Sequence, residues 1–149
     1  MLSNKTKYGL KAMLHLAERE GRGGQLVAQI AETQQIPKKF LDAILLELKN
    51  NNLLFSKKGK GGGYTLARSS KDIFLGNIIR ILEGPLALLP CASAGAYRPC
   101  EDCPDPQACQ IRLVIQQVRD ATADILDHTS LGDLAGRSLS AEKYLFYDI

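Results

Sequence analysis

"KKGKGGGYTLA", Lys57 to Ala67, places three lysines and four glycines between an apolar helical segment and a strand-like Tyr-Thr-Leu pattern. A phosphate-gripping P-loop needs its glycines after a strand and before a helix, ending in Gly-Lys-Ser/Thr, and this stretch fails each requirement. A disordered linker is also a poor match, because Tyr64 and Leu66 alternate as a strand does. "LLFSK" (Leu53 to Lys57) and "GYTLA" (Gly63 to Ala67) are rich in residues that favour a pleated, half-buried surface. With "KGKGG" between them they read as a β-hairpin. Glycine permits the tight turn and close backbone approach to a phosphate, while Lys57, Lys58 and Lys60 supply positive charge.

What precedes the hairpin gives it a context. In "QQIPKKF", Pro37 suits the first turn of a helix, where a missing N–H costs nothing. That helix is predicted to run to about Asn50, with Leu41, Ile44, Leu45 and Leu48 on one face and Lys38, Lys39, Asp42, Ala43 and Lys49 elsewhere. A shorter helix over Val27 to Gln34 turns Val27, Ile30 and Ala31 inward. Two helices joined by a short turn, the second with a basic start, form a helix-turn-helix, and the hairpin behind them is its wing. Upstream, Ser3 is a cap for a first helix striped by Leu10, Met13, Leu14 and Ala17, which stops at "GRGG" (Gly21 to Gly24). His15 on that helix reads as a structural or surface residue.

Downstream, a fourth helix is predicted from about Leu75 to Glu83, ended by Gly84 and Pro85. Residues 89 to 109 form a proline-rich loop too polar for the core. The longest helical signal runs from Gln107 to about Asp127, with Ile111, Val114, Ile115, Val118, Ala121, Thr122, Ile125 and Leu126 along one stripe. A chain of 149 residues has little spare core to cover such a stripe, so a helix from a second subunit is the expected partner. Thr129 or Ser130 caps a short last helix, and the tail carries Tyr144, Phe146 and Tyr147. The fold class is mainly α: a winged helix-turn-helix with a two-stranded β wing and a long C-terminal dimerisation helix.

Charge divides the chain. Residues 1–71 hold 13 Lys/Arg and 5 Asp/Glu, a net +8, whereas residues 72–149 hold 6 and 11, a net −5. The split suggests a basic working region, residues 1–71, joined to a sensor and dimerisation region, residues 72–149. No apolar run approaches the length of a membrane span, and the N-terminal segment is amphipathic, so a soluble cytoplasmic protein is expected. No Ser-His-Asp set, nucleotide loop or paired carboxylate is present, which argues against an enzyme.

All four cysteines fall in "CASAGAYRPCEDCPDPQAC", spaced C-x8-C-x2-C-x5-C: Cys91, Cys100, Cys103 and Cys109. A reducing compartment disfavours disulfides, and thiolates ligate both zinc and iron–sulfur clusters. Zinc ribbons bring two C-x2-C pairs, whereas only Cys100 and Cys103 pair closely here, so a cluster leads, with zinc, a dithiol switch and inert thiols as alternatives. Glu101, Asp102 and Asp105 should raise the pKa of neighbouring thiols.

With these parts in this order, residues 1 to about 135 resemble the Rrf-two family of winged-helix transcription regulators, which includes IscR-, NsrR-, RirA- and CymR-like members. The resemblance rests on "KTKYGLKAML", "IPKKFLDAILLELKNNNLLFSKKGKGGGYTLAR", "LGNIIRILEGP" and "CQIRLVIQQVRDATADILDHTSLGDL". It implies a homodimer joined through the helix around residues 107–127, with two winged helices reading a palindromic operator in double-stranded DNA. It also implies that the state of the cysteine loop tunes DNA affinity. By the same resemblance Lys38, Lys39, Phe40, Asp42 and Ala43, and Lys57, Lys58, Gly59, Lys60, Gly61 and Gly62, match DNA-facing positions. Cys91, Cys103 and Cys109 match the cysteine ligands of the cluster-bearing members, the cluster being [2Fe-2S] or [4Fe-4S]. Arg112 stands where IscR-like members use histidine, and Lys7 where NsrR-like members use aspartate. Cys100 is therefore the expected fourth ligand.

Overall fold

The computed structural model describes residues 1–137; the aromatic residues Tyr144, Phe146 and Tyr147 lie outside them. Helices α1 (Asn4–Glu18), α2 (Val27–Gln34) and α3 (Lys38–Asn50) are followed by strands β1 (Leu54–Lys57) and β2 (Gly63–Leu66). Then come α4 (Leu75–Leu82), α5 (Gln110–Asp127) and α6 (Leu131–Ala135), with 3-10 turns at Ser70–Asp72 and Pro90–Ala92. Chains that adopt this arrangement are mainly helical winged helices, as expected.

The apolar face of α3 is the centre of the core. Leu41, Ile44, Leu45 and Leu48 are all buried, together with Met13 and Leu16 of α1, Ile30 of α2 and Ile78 of α4. Burial of one such side chain is worth about 1.5–3 kcal/mol, so this face outweighs any surface ion pair the helix makes. Pro37 is the N-cap of α3 and not its first residue, as its carbonyl accepts the N–H groups of Phe40 and Leu41 at 3.0 and 3.1 Å. The difference is one position: with φ −57° and ψ 123° the proline has a helix-compatible φ but extended ψ.

Helix α1 buries a broader surface than its predicted stripe. Leu10 and Leu14 are only half-buried, whereas Thr6, Gly9, Ala12, His15 and Leu16 are buried with Met13 and Ala17. The reason is that α1 packs against α2, α3, α4, α6 and β2 at once. Small residues permit it: a Cβ on Gly9 would lie 2.1 Å from Leu82 Cδ1 of α4. His15 is structural, its Nδ1 3.2 Å from the Gln34 amide nitrogen. Burial first, and then the Arg19 charge, lowers its pKa and keeps the ring neutral.

Strand β1 pairs antiparallel with β2, Leu54 opposite Leu66 and Lys57 opposite Gly63. Gln25 adds a third element that the sequence pattern did not show, exchanging backbone hydrogen bonds with Tyr64 at 3.0 and 2.9 Å. After α5 the chain returns to the core: Leu131 N donates to Ile73 O at 2.8 Å, and Leu75 N to Thr129 O at 3.0 Å. Ser130 then caps α6 in a reciprocal capping box with Asp133.

The N-terminus of α1 has two caps. Ser3 Oγ accepts the Thr6 N–H at 3.3 Å, and Glu83, at the end of α4, accepts from Ser3 N, Ser3 Oγ and Thr6 Oγ1 on a single carboxylate oxygen. The Thr6 bond, followed by those from Ser3, holds the Glu83 pKa down to about 2 from the ordinary 4.5. A carboxylate with a depressed folded-state pKa adds stability above its unfolded pKa, and this is lost as pH falls through the folded value. Stability is therefore expected to decline between about pH 4.5 and 2, and Glu83→Gln to flatten that part of the profile in thermal melts across pH.

Candidate DNA interface and cysteine loop

The DNA-facing candidates form two groups. On α3, Lys38, Lys39, Phe40, Asp42 and Ala43 are all exposed, distributed over the surface that the buried leucines leave free. Lys38 Nζ pairs with Asp42 Oδ2 at 2.9 Å one turn on, an exposed bond that leaves both groups open to exchange for a phosphate or a base edge. Phe40 is 58% exposed and so is available for contact.

On the wing, Lys57, Lys58, Gly59, Lys60 and Gly61 are exposed at the tip. Gly62 differs, because it is buried. A Cβ there would meet the Lys57 and Gly59 carbonyl oxygens at 2.4 and 2.7 Å, and its N–H donates to Gly59 O at 2.9 Å. Gly62 thus closes the loop from within and is not itself a contact surface. Gly63, at φ 120°, lets β2 come against Gln25, whose backbone oxygen would lie 2.5 Å from an added Cβ. The wing packs against α3, and the Tyr64 phenol has its pKa raised by burial and then by the Asp42 charge.

The cysteine loop is less polar at its base than its composition suggests. Cys91, Ala92 and Ser93 are buried, Cys103 and Cys109 half-buried and Cys100 exposed. Cys109 is the N-cap of α5, its Sγ accepting the Arg112 N–H at 3.4 Å, so the helix starts at Gln110, three residues later than predicted. The Cys100 thiol is pushed up by its hydrogen bond to Cys91, then by burial, and less by the charges of Cys91, Asp102 and Cys103. Among the described residues no three Cys, His, Asp or Glu side chains converge on one point that could hold a metal. The four cysteines suit a cluster or zinc in kind, but the loop as folded does not present Cys91, Cys100, Cys103 and Cys109 as one ligand set.

Arginines on α5 fix the loop instead. Arg112 Nε donates to Cys91 O at 2.8 Å and its Nη1 to Pro106 O at 3.3 Å, and its guanidinium lies 5.4 Å from the Tyr97 ring centroid. Two turns on, Arg119 Nη1 donates to Ala92 O. Arg80 of α4 binds Asp127 of α5 with both Nη atoms, at 2.6 and 2.9 Å. None of these contacts has a local sequence signature.

The opposite side of α5 is uncovered. Ile111 is 67% exposed, Val114 57% and Ile125 66%, and no residue of the helix is buried.

Residues 2–137 match the profile of the Rrf2 family, described as iron-dependent transcriptional regulators. The chain belongs to this family. It is 37% identical over 148 residues to an Rrf2-like HTH-type transcriptional regulator of Rhodobacter capsulatus, covering 97% of this chain and 99% of that one. It is 35% identical to the HTH-type regulator CymR of Bacillus subtilis, over 98% of both chains. The solved structure of that CymR, the global cysteine regulator of B. subtilis, superposes with a TM-score of 0.75 at 34% identity, covering 91% of this chain and 95% of its own. The solved structure of IscR from T. potens gives 0.72 at 28% identity, covering 97% and 96%. The protein is a DNA-binding transcription regulator and not an enzyme, and among its described residues no helix is long and apolar enough to cross a membrane.

Gly62→Ala tests how the wing is built. The added methyl has only backbone oxygens to displace, so the hairpin should open. A lower melting temperature together with weaker DNA binding is expected, with both readouts unaffected by alanine at the open position Gly95.

Proposed function

We propose that this regulator acts in the cytoplasm as a homodimer on a palindromic operator, residues 1–71 reading DNA and residues 72–149 pairing the subunits and sensing. The division is one of task, since the core draws on Ile73, Ile78, Leu82 and Leu131 as well as on the first three helices. The observation that carries the reading is the outward side of α3 beside a lysine-tipped wing, in a half of the chain with a net charge of +8. Lys57, Lys58 and Lys60 hold phosphates, and Lys38, Lys39, Phe40, Asp42 and Ala43 are offered to the groove. Gly59 and Gly61 keep the tip slim enough for the minor groove.

The exposed Ile111, Val114 and Ile125 face supports pairing of α5 with a second copy, which would set two reading heads about one duplex turn or a multiple of it apart. Replacing Lys58 and Lys60 together with alanine should weaken binding to every duplex. The slope of log affinity against log salt should become shallower by about 2, and an unchanged slope would remove the wing from the interface.

For the sensing half, the four thiols support a response to iron–sulfur, redox or sulfur-metabolite status. Thiolates suit [2Fe-2S] or [4Fe-4S] chemistry in kind, with zinc the second reading, and either would require the loop to bring Cys91, Cys100, Cys103 and Cys109 onto one centre. That the CymR relative is a global cysteine regulator favours a sulfur-linked signal. The deciding experiment is an anaerobic visible spectrum of fresh protein with iron, sulfide and zinc analysis of the same sample. Charge-transfer bands with matching iron and sulfide establish a cluster, and colourless protein with stoichiometric zinc makes the loop structural. Protein with neither metal leaves the thiols themselves, or a small effector, as the sensor.

A further inference from the structure

Between the end of α4, the base of the cysteine loop and α5 lies a hollow of about 350 Å³, within the range of small-molecule sites. Leu86, Ala96 and Ala123 are among the mainly apolar residues that line it, and Arg80, Arg119 and Asp120 bring charge to it. We propose that it is a binding site for a small organic monocarboxylate, a compact apolar body bearing one negative charge.

The charges select the ligand. A guanidinium has five N–H donors. Among the described residues Arg80 spends two on Asp127, and Arg119 spends three on Asp120 and Ala92 O, so both keep donors for an incoming carboxylate. Each arginine already faces one carboxylate, Arg80 that of Asp127 and Arg119 that of Asp120, so what remains for a ligand is their spare N–H donors, which one carboxylate can accept. A dianion would bring its second charge against Asp120 or Asp127. A neutral ligand of the same shape would gain less from those donors. The Arg80–Asp127 pair is bidentate, so a ligand gains Arg80 by sharing its spare N–H donors rather than by displacing Asp127 outright. The small side chains of the loop keep the hollow open, and Ala123 is where a larger residue would close it.

The location gives occupancy an effect. Arg80–Asp127 ties α4, which packs on α1 and α3, to the end of α5. A carboxylate drawn to Arg80 loosens that tie and alters the setting of α5 against the DNA-reading half. This regulatory link rests on the dimeric operator-binding reading; the site itself does not.

The test titrates the full chain with 3-methylbutanoate and, separately, L-leucine, followed by calorimetry and ligand-detected NMR. The neutral isostere 3-methylbutan-1-ol and the dianion methylsuccinate are the comparisons. Saturable binding of 3-methylbutanoate, absent with alcohol and dianion, is expected. Leucine is a zwitterion without net charge, so binding of leucine alone, which requires a partner for its ammonium, overturns the monocarboxylate reading. Ala123→Leu should weaken binding by about tenfold or more, as the loss of pocket volume requires. Ala96→Leu serves the same purpose should the first variant fold poorly. Equal binding of the alcohol, undiminished binding to a folded filled variant, or no saturable binding of 3-methylbutanoate overturns the site. Operator affinity is measured on the same samples. A bound carboxylate that leaves it unchanged overturns the regulatory link alone, whereas a ligand-free protein that ignores DNA overturns the operator-binding reading and leaves the site standing.

Discussion

Everything in the molecule hangs on the burial of one side of α3. Leu41, Ile44, Leu45 and Leu48 insert among α1, α2 and α4, and their burial fixes the rotation of the helix about its axis. Lys39, Phe40 and Ala43 then face outward because the leucines have no other place to go. The Lys38–Asp42 pair and the other surface bonds are too weak to compete with that choice. Orientation of the proposed reading surface is thus a by-product of packing. A change inside the core that rolled α3 by a fraction of a turn would turn that surface away without touching an exposed residue.

The wing depends on a second constraint, the close approach of backbones. Gly62 folds under the Lys57 and Gly59 carbonyls, and Gly63 rests on Gln25, so the tip is thin because its own main chain fills the space side chains would need. Gln25 anchors the hairpin to the segment leading into α2, giving the two-stranded ribbon the third partner that such ribbons need for independent stability. The lysines at the tip are carried by this frame and contribute little to it.

The parts governed by local periodicity could be read from the sequence. The α3 face, the hairpin and α4 follow from the spacing of leucines, isoleucines and glycines, and α2 matches its predicted bounds. The phase of α1 was harder, because Gly9 and Ala12 contribute packing without a hydropathy signal and the helix is surrounded on several sides. The Gln25 bridge, the Glu83 cap and the Arg80–Asp127 tie join residues far apart in sequence, where no periodicity reaches. The cysteine spacing announced sulfur chemistry, but spacing alone does not say where a proline-rich loop will put its thiols. Of the DNA-facing candidates only Gly62 is turned inward, since a glycine in a turn looks the same whether it faces out or in.

The arginine clasp on the cysteine loop has an evolutionary consequence. Arg112 and Arg119 hold the carbonyls of Cys91, Ala92 and Pro106, atoms that every amino acid possesses. Substitutions within the loop can therefore change its chemistry while its attachment to α5 persists. A lineage could exchange one sensory repertoire for another on an unchanged frame, and divergence in cysteine number and spacing is what such a hinge-free mount would tolerate.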